Sequence, residues 1–227
     1  KICGIQNKDF EVIYNSVDLE KINIFKNKNR SNYKIVFANT VSRKKGVFEL
    51  VMAFNNIALK FPEAELYIIG KLNYRENGVG IKDLLLDKVD DKYRDRLFIT
   101  GWLNSEREVY QHLSDAHVCV YPSHMEGFGI APVEPMALGK PVLFMNNGPG
   151  PEVIEDGVSG LLIDSFSPSD IAEKIERLFV DPNLVSKLSE NAEKRVKEKF
   201  QKNTIFLNNN KNYYKSVLND LNKWYLS

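Results

Sequence analysis

Three stretches of this 227-residue chain carry side chains whose types and spacing could do chemistry. The richest is Tyr121-Pro122-Ser123-His124-Met125-Glu126-Gly127-Phe128-Gly129-Ile130-Ala131-Pro132-Val133-Glu134, in which seven residues separate Glu126 from Glu134. Each carboxylate only accepts hydrogen bonds and can take two from a vicinal diol, so the pair suits a ligand rich in hydroxyls. Gly127 and Gly129 flank Phe128, and backbone without a Cβ lets a ligand approach closely. Pro132 fits the first turn of a helix starting near Ala131, because no amide hydrogen is needed there. Alone, Glu134 reads as a capping or solvated acid and Glu126 as an ordinary loop acid. Framed by two glycines, they read together as a site.

The second stretch is Ala38-Asn39-Thr40-Val41-Ser42-Arg43-Lys44-Lys45-Gly46. A basic loop closed by glycine at a helix N-terminus offers free amides, a positive dipole end and the full charge of Lys45, which together suit an anion. By itself the loop reads equally well as a solvated basic turn. The third stretch, residues 146–154, holds two Gly-Pro pairs and reads as a rigid turn entering a short helix.

Other chemistries lack their residues. His112, His117 and His124 have no metal-ligand spacing, and no nucleophile with a histidine partner is readable. Cys3 and Cys119 cannot form a disulfide framework, which makes a reducing cytoplasm the expected compartment. Gly78-x-Gly80 lacks a third glycine, and Gly127-x-Gly129 meets Pro132 in the third slot, so neither is a dinucleotide fingerprint. No Asp-x-Asp pair offers a clamp for a metal-bound diphosphate, so no metal site is expected.

These residues must be positioned by something. With 31 Lys+Arg, 30 Asp+Glu and 43% hydrophobic residues, the chain has the composition of a globular protein with a net charge of +1. That balance argues against disorder and against a strongly basic nucleic-acid binder. Short apolar runs at 35–37, 66–69, 97–99, 118–121, 142–144 and 161–163 are near-continuously hydrophobic, as in strands buried on both faces of a parallel sheet. Between them, residues 46–61 carry an apolar stripe of helical period (Val47, Leu50, Val51, Phe54, Ile57, Ala58, Phe61), and 108–116 and 171–179 carry weaker ones. Two further helices are expected over 183–200 and about 204–224. The prediction is an α/β, Rossmann-like parallel sheet of about six strands flanked by helices, in which ligands sit beyond the carboxyl ends of the strands. Three parts are expected: a linker segment over 1–30, the sheet domain over 31–200 and a carboxyl-terminal helix over 201–227. The first residue is Lys1 rather than Met, and the chain is expected to be a piece of something longer.

Glu126-Gly-Phe-Gly-x4-Glu134, followed by Pro-Met-Ala-Leu-Gly-Lys-Pro-Val over 135–142, resembles the signature of retaining GT-B glycosyltransferases, the glycosyltransferase group 1 family. Val12 to Asp18 resembles that family's interdomain segment, Lys45-Gly46 its diphosphate lysine, and Gly148 to Ile154 and Asp156 to Leu162 also match; the likeness covers about residues 12–200. The resemblance implies the carboxyl-terminal, donor-binding half of a GT-B fold. It implies transfer of a hexosyl group from a nucleoside-diphosphate sugar, with retention and without a metal, to a glycan or glycolipid acceptor in bacterial surface polysaccharide synthesis. No cofactor is implied beyond the nucleotide-sugar substrate. Glu126 and Lys45 would be catalytic. The donor would be held by Thr40, Arg43, Lys45, Glu126, Gly127, Phe128, Gly129, Ile130 and Glu134, with Glu134 on the ribose and the amides of Phe128, Gly129 and Ile130 on the diphosphate. An amino-terminal acceptor half, absent from this chain, would be its partner, and peripheral association with the cytoplasmic face of a membrane would run through that half. No nucleic acid is implied, and this chain alone would not turn over. One departure stands out: the family's Arg, five residues before the diphosphate lysine, is here Thr40, with Arg43 or Lys44 as the nearest substitutes. A non-catalytic nucleotide-sugar-binding module and a GT-B nucleotide-sugar epimerase are the alternatives.

Overall fold

The structure, a computed structural model, describes residues 14–27, 33–202 and 205. Six strands form one fully parallel sheet: β1 (Lys34–Ala38), β2 (Glu65–Ile69), β5 (Leu97–Gly101), β6 (Val118–Tyr121), β7 (Val142–Met145) and β8 (Leu161–Ile163). Their order is β5-β2-β1-β6-β7-β8. All six apolar runs are strands, and the sheet is the expected α/β type. The order reverses between β1 and β6, the switch point where a crevice opens in doubly wound sheets. A separate two-stranded hairpin, β3 (Arg75–Glu76) with β4 (Val79–Gly80), lies outside this sheet.

Both faces of the sheet are covered, which explains why its strands are apolar throughout. On β1, Ile35 and Phe37 enter one core with Leu66, Ile68, Val120 and Ile163. Val36 points into the other core, with Cys119, Tyr121 and Phe144. The first core is closed by α2 (Val47–Lys60) and α7 (Pro168–Val180), whose apolar stripes meet on one face. The second is closed by α4 (Glu106–Asp115), α5 (Val133–Ala137) and α8 (Pro182–Lys199). Fully burying a side chain such as Phe54, at 0% exposure, contributes roughly 1.5–3 kcal/mol.

Helix boundaries follow side-chain chemistry. Ser167 caps α7 by accepting from the Asp170 amide at 3.2 Å, and Asp181 caps α8 by accepting from Leu184 at 2.9 Å. Pro168 and Pro182 occupy the first helical positions, where no amide donor is needed. The short α1 (Leu19–Asn23) is capped by Asp18 and buries Leu19 and Ile22 in the second core. So the described part of 1–30 packs onto the domain, and Val17 bridges to Gln201.

Some elements were not anticipated. Between β2 and β5 lie the β3–β4 hairpin, the six-residue α3 (Ile81–Leu86) and a 3-10 turn over Asp91–Arg96. Gly78-x-Gly80 belongs to that hairpin, whose tip Asn77-Gly78 has positive φ at both residues (49° and 83°), a tight reversal rather than a dinucleotide loop. The helix expected near Ala131 is only Val133–Ala137. The four-residue α6 (Gly150–Val153) follows β7. Val12, Ile13 and the expected helix over 204–224 lie outside the described residues, apart from Ile205.

Candidate active site

The carboxyl ends of β1 and β6 deliver two loops that lock onto each other. Residues Arg43–Lys45 form one 3-10 turn, closed by Gly46 in the left-handed conformation (φ 68°). A Cβ there would lie 1.7 Å from the Pro122 carbonyl oxygen, so only glycine allows the approach. The His124 amide then donates to the Lys44 carbonyl at 2.9 Å. That register carries Lys45 to Glu126: Nζ lies 2.5 Å from Oε1. Both side chains are largely withdrawn from water, at 13% and 10% exposure. Buried Ser123 donates its hydroxyl to the same Oε1 at 2.9 Å. Two of the expected residues, from loops far apart in sequence, therefore form one cluster.

The turn after Glu126 faces two ways. The Phe128 ring packs inward against Tyr14 and Phe200, with centroids 5.6 and 5.8 Å away. Gly129 has φ 82°, and a Cβ on it would meet Phe144 Cζ at 2.8 Å. Among the described residues, the amides of Phe128, Gly129 and Ile130 donate to no backbone carbonyl. They precede α5 rather than open it, so the turn itself, not a long helix, supplies the free donors. Gly127 and Ile130 are exposed beside them.

Glu134 sits in the first turn of α5 and accepts a hydrogen bond from the Tyr110 hydroxyl, 2.9 Å from Oε1. Burial pushes its carboxyl above the ordinary glutamate range; the Tyr110 bond pulls it back, Glu106 raises it and Lys21 lowers it. The same burial, reinforced by the Glu134 charge, raises the Tyr110 phenol far above its ordinary range, so the hydroxyl remains a donor.

Glu134 also lines a pocket of about 270 Å³ along the carboxyl ends of β1, β2 and β5. Asn39 and Thr40 form one wall, Gly70 and Lys71 another, and Trp102 with Leu103 a third. The Lys71 ammonium lies 4.7 Å from the centre of the Trp102 ring, which is 63% exposed. Sequence reasoning missed Lys71, Trp102, Tyr110 and Ser123. A signal was present for the first two, since Lys71 follows β2 and Trp102 follows β5 in the way that Thr40 follows β1. For Tyr110 and Ser123 there was none, because their roles rest on tertiary contacts.

The remaining candidates divide. Thr40 is exposed in the pocket wall, and its amide donates to Asn39 Oδ1 at 2.7 Å. Arg43 is engaged elsewhere: it pairs with Glu76 of the hairpin at 2.6 Å and stacks over Phe48 at 4.3 Å. His124 lies at ion-pair distance (3.3 Å) from Glu49 of α2, and its ring stacks on the exposed Phe166 at 4.2 Å. His117 is structural, in a three-ring cluster with Tyr33, at 6.2 Å, and Phe179, which it meets edge-on at 5.0 Å. Cys119 is fully buried, and burial pushes its thiol up to about 12, which makes it inert. The loop at 146–150 and α6 do not line the pocket; Arg195 of α8 ties the end of α6 by binding the Glu152 and Val153 carbonyls.

Comparison with known proteins supplies the rest. The family model "Glycosyl transferases group 1" matches residues 19–195. The capsular polysaccharide biosynthesis glycosyltransferase CapM of Staphylococcus aureus is 30% identical over 210 residues, covering 89% of this chain and 50% of the relative. The poly(glycerol-phosphate) alpha-glucosyltransferase of Bacillus subtilis is 26% identical over 174 residues, 76% of this chain and 24% of the relative. This chain thus spans half or less of the length of these curated relatives. Among solved structures, the carboxyl-terminal domain of the glycosyl transferase group 1 family protein LpcC from Francisella tularensis superimposes with TM-score 0.68 at 27% identity, covering 88% of this chain and 100% of that one. Anabaena HepE in complex with UDP superimposes with TM-score 0.79 at 22% identity, covering 93% of this chain and 59% of that one.

Proposed function

The chain belongs to the glycosyl transferases group 1 family, and we propose that it is the carboxyl-terminal, donor-binding half of a GT-B enzyme that transfers a hexosyl group from a nucleoside-diphosphate sugar. The observation that carries this reading is the meeting of Lys45 with Glu126 at the switch point, in loops that follow β1 and β6, while Thr40 of the same β1 loop lines the pocket that Glu134 also lines. Glu134 takes the ribose and Glu126 the donor sugar. Lys45 and the amides of Phe128, Gly129 and Ile130 take the diphosphate. A departing nucleoside diphosphate builds negative charge, and a fixed cation with aligned amides stabilises it without a metal. In the free protein Lys45 is neutralised by Glu126, so the incoming diphosphate competes for it and leaves Glu126 available to the sugar.

The likeness to an isolated carboxyl-terminal domain along its whole length supports the assignment to that half, and a structural neighbour with UDP bound supports the ligand class. Retention, metal independence, a glycan or glycolipid acceptor and a site of action at the cytoplasmic face of a membrane complete the proposal, with the acceptor groove supplied by another half. Among the described residues no helix is long and apolar enough to cross a membrane.

Titration of the full-length protein with UDP, GDP and ADP and their common sugar conjugates, followed by calorimetry, tests this. Saturable binding of one nucleotide series is expected, and failure to bind any of them overturns the reading. One observation favours a second reading, a nucleotide-sugar-binding module without transfer activity: Thr40 carries no charge and Arg43 is held by Glu76, which leaves Lys45 as the cation at the cluster. Thr40→Arg distinguishes the two, since a large gain in rate would mark the native loop as degenerate.

A further inference from the structure

Glu134 is not free to choose how it meets a ligand. Tyr110 comes from α4 and Glu134 from α5, and the hydroxyl lies 2.9 Å from Oε1. Tyr110 is itself held. It is 7% exposed, it packs in the second core, and its ring stacks on Phe25 with centroids 5.2 Å apart and planes 20° from parallel. A buried aromatic with two side-chain torsions, pinned by a stacked ring, gives its hydroxyl little freedom to follow a moving carboxylate. No other side chain or amide among the described residues donates to that carboxylate, so Oε2 keeps its acceptor capacity, and Glu134 lines the pocket.

We propose that Tyr110 is a positioning residue that ties one oxygen of Glu134 and presents the other to a single ribose hydroxyl, so that the Tyr110–Glu134 pair sets the preference for ribonucleotides over deoxyribonucleotides. This rests on the assignment of Glu134 to the ribose made above. An untethered carboxylate can rotate and accept from either hydroxyl or from water. A tethered one is pre-oriented, and a sugar lacking the matching hydroxyl leaves Oε2 desolvated and unpaired. Removing a partner from a buried charged acceptor costs more than the bond itself contributes, which is the physical source of the selectivity.

The test compares binding of a nucleoside diphosphate with its 2′-deoxy and 3′-deoxy analogues in the full-length protein and in Tyr110→Phe, which keeps the ring and its stacking on Phe25. The native protein should discriminate against one analogue by about tenfold to a hundredfold, as expected for a hydrogen bond to a charged group. In Tyr110→Phe that ratio should collapse toward unity, with affinity for the discriminated analogue rising as the freed carboxylate finds another partner. A merely structural role would weaken all three ligands alike and leave the ratio intact, and that result overturns the proposal while leaving the donor-site reading in place. A native protein that binds none of them overturns both. Should Tyr110→Phe not fold, 3-fluorotyrosine at position 110 serves: its stronger donor drains charge from Glu134 and should reduce the discrimination, and an unchanged ratio overturns the proposal.

Discussion

Lys45 and Glu126 stand 81 residues apart in sequence and meet at 2.5 Å, each from a loop that leaves the sheet beside the switch point. The contact exists because Gly46 lies against Pro122 and the Lys44 carbonyl accepts from His124. Its low exposure sets it apart from surface ion pairs, which contribute little.

Breaking that pair on one side should therefore be costly. Lys45→Met leaves Glu126 with Ser123 as its remaining donor in the described structure, and we expect a loss of about 3 kcal/mol in unfolding free energy. The double variant Lys45→Met with Glu126→Gln should recover most of it. Urea denaturation of the two variants checks this, and equal losses in both would mean that the pair contributes nothing specific.

Lys45→Met should also separate phosphate from nucleoside. Affinity for the nucleoside diphosphate should fall by about tenfold or more, the equivalent of a charge-assisted hydrogen bond. Affinity for the bare nucleoside should be unchanged. Calorimetry on both ligands decides, and a parallel fall in nucleoside binding would remove Lys45 from the diphosphate.

Glu134 predicts a pH dependence of stability. Burial raises its carboxyl in the folded chain, so the folded state holds that proton to higher pH than the unfolded state does. Its contribution is fully present below the ordinary glutamate value of about 4.3 and is lost as pH rises through the raised value. Glu134→Gln has no such proton, so its stability relative to the native protein should rise with pH across that window and be level on either side. Denaturation curves at successive pH values check the slope, and a flat difference would contradict it.

Metal chelation should leave transfer intact. If Lys45 and the turn amides neutralise the leaving group, EDTA has nothing to remove, and initial rates of the full-length protein with and without it should agree. Turnover that depends on added divalent cation would contradict the leaving-group argument.

The fold was legible because the sheet is covered on both faces: every strand is a dense apolar run, and α2 and α7 carry their stripes at helical period. The β3–β4 hairpin and α3 escaped because elements of two to six residues are too short to repeat their period and so show no pattern. At the site, Glu126, Glu134 and Lys45 could be picked out as candidates because they lie in or just after loops past strand ends, where a parallel sheet offers a ligand site; that Lys45 meets Glu126 is seen only in the fold. Arg43 was not, since sequence gives no hint that Glu76 and Phe48 claim its guanidinium. Tyr110 was hidden in a helix stripe, where an aromatic is indistinguishable from core packing until its hydroxyl is placed against Glu134.

Gly46 carries no functional group, yet adding one methyl there would set it 1.7 Å from the Pro122 oxygen and drive the two loops apart. A map of this cleft drawn only from reactive side chains would therefore miss the position on which their meeting depends. In a mutational screen for lost activity, this residue should behave like a member of the chemistry although no atom beyond its backbone is present to take part.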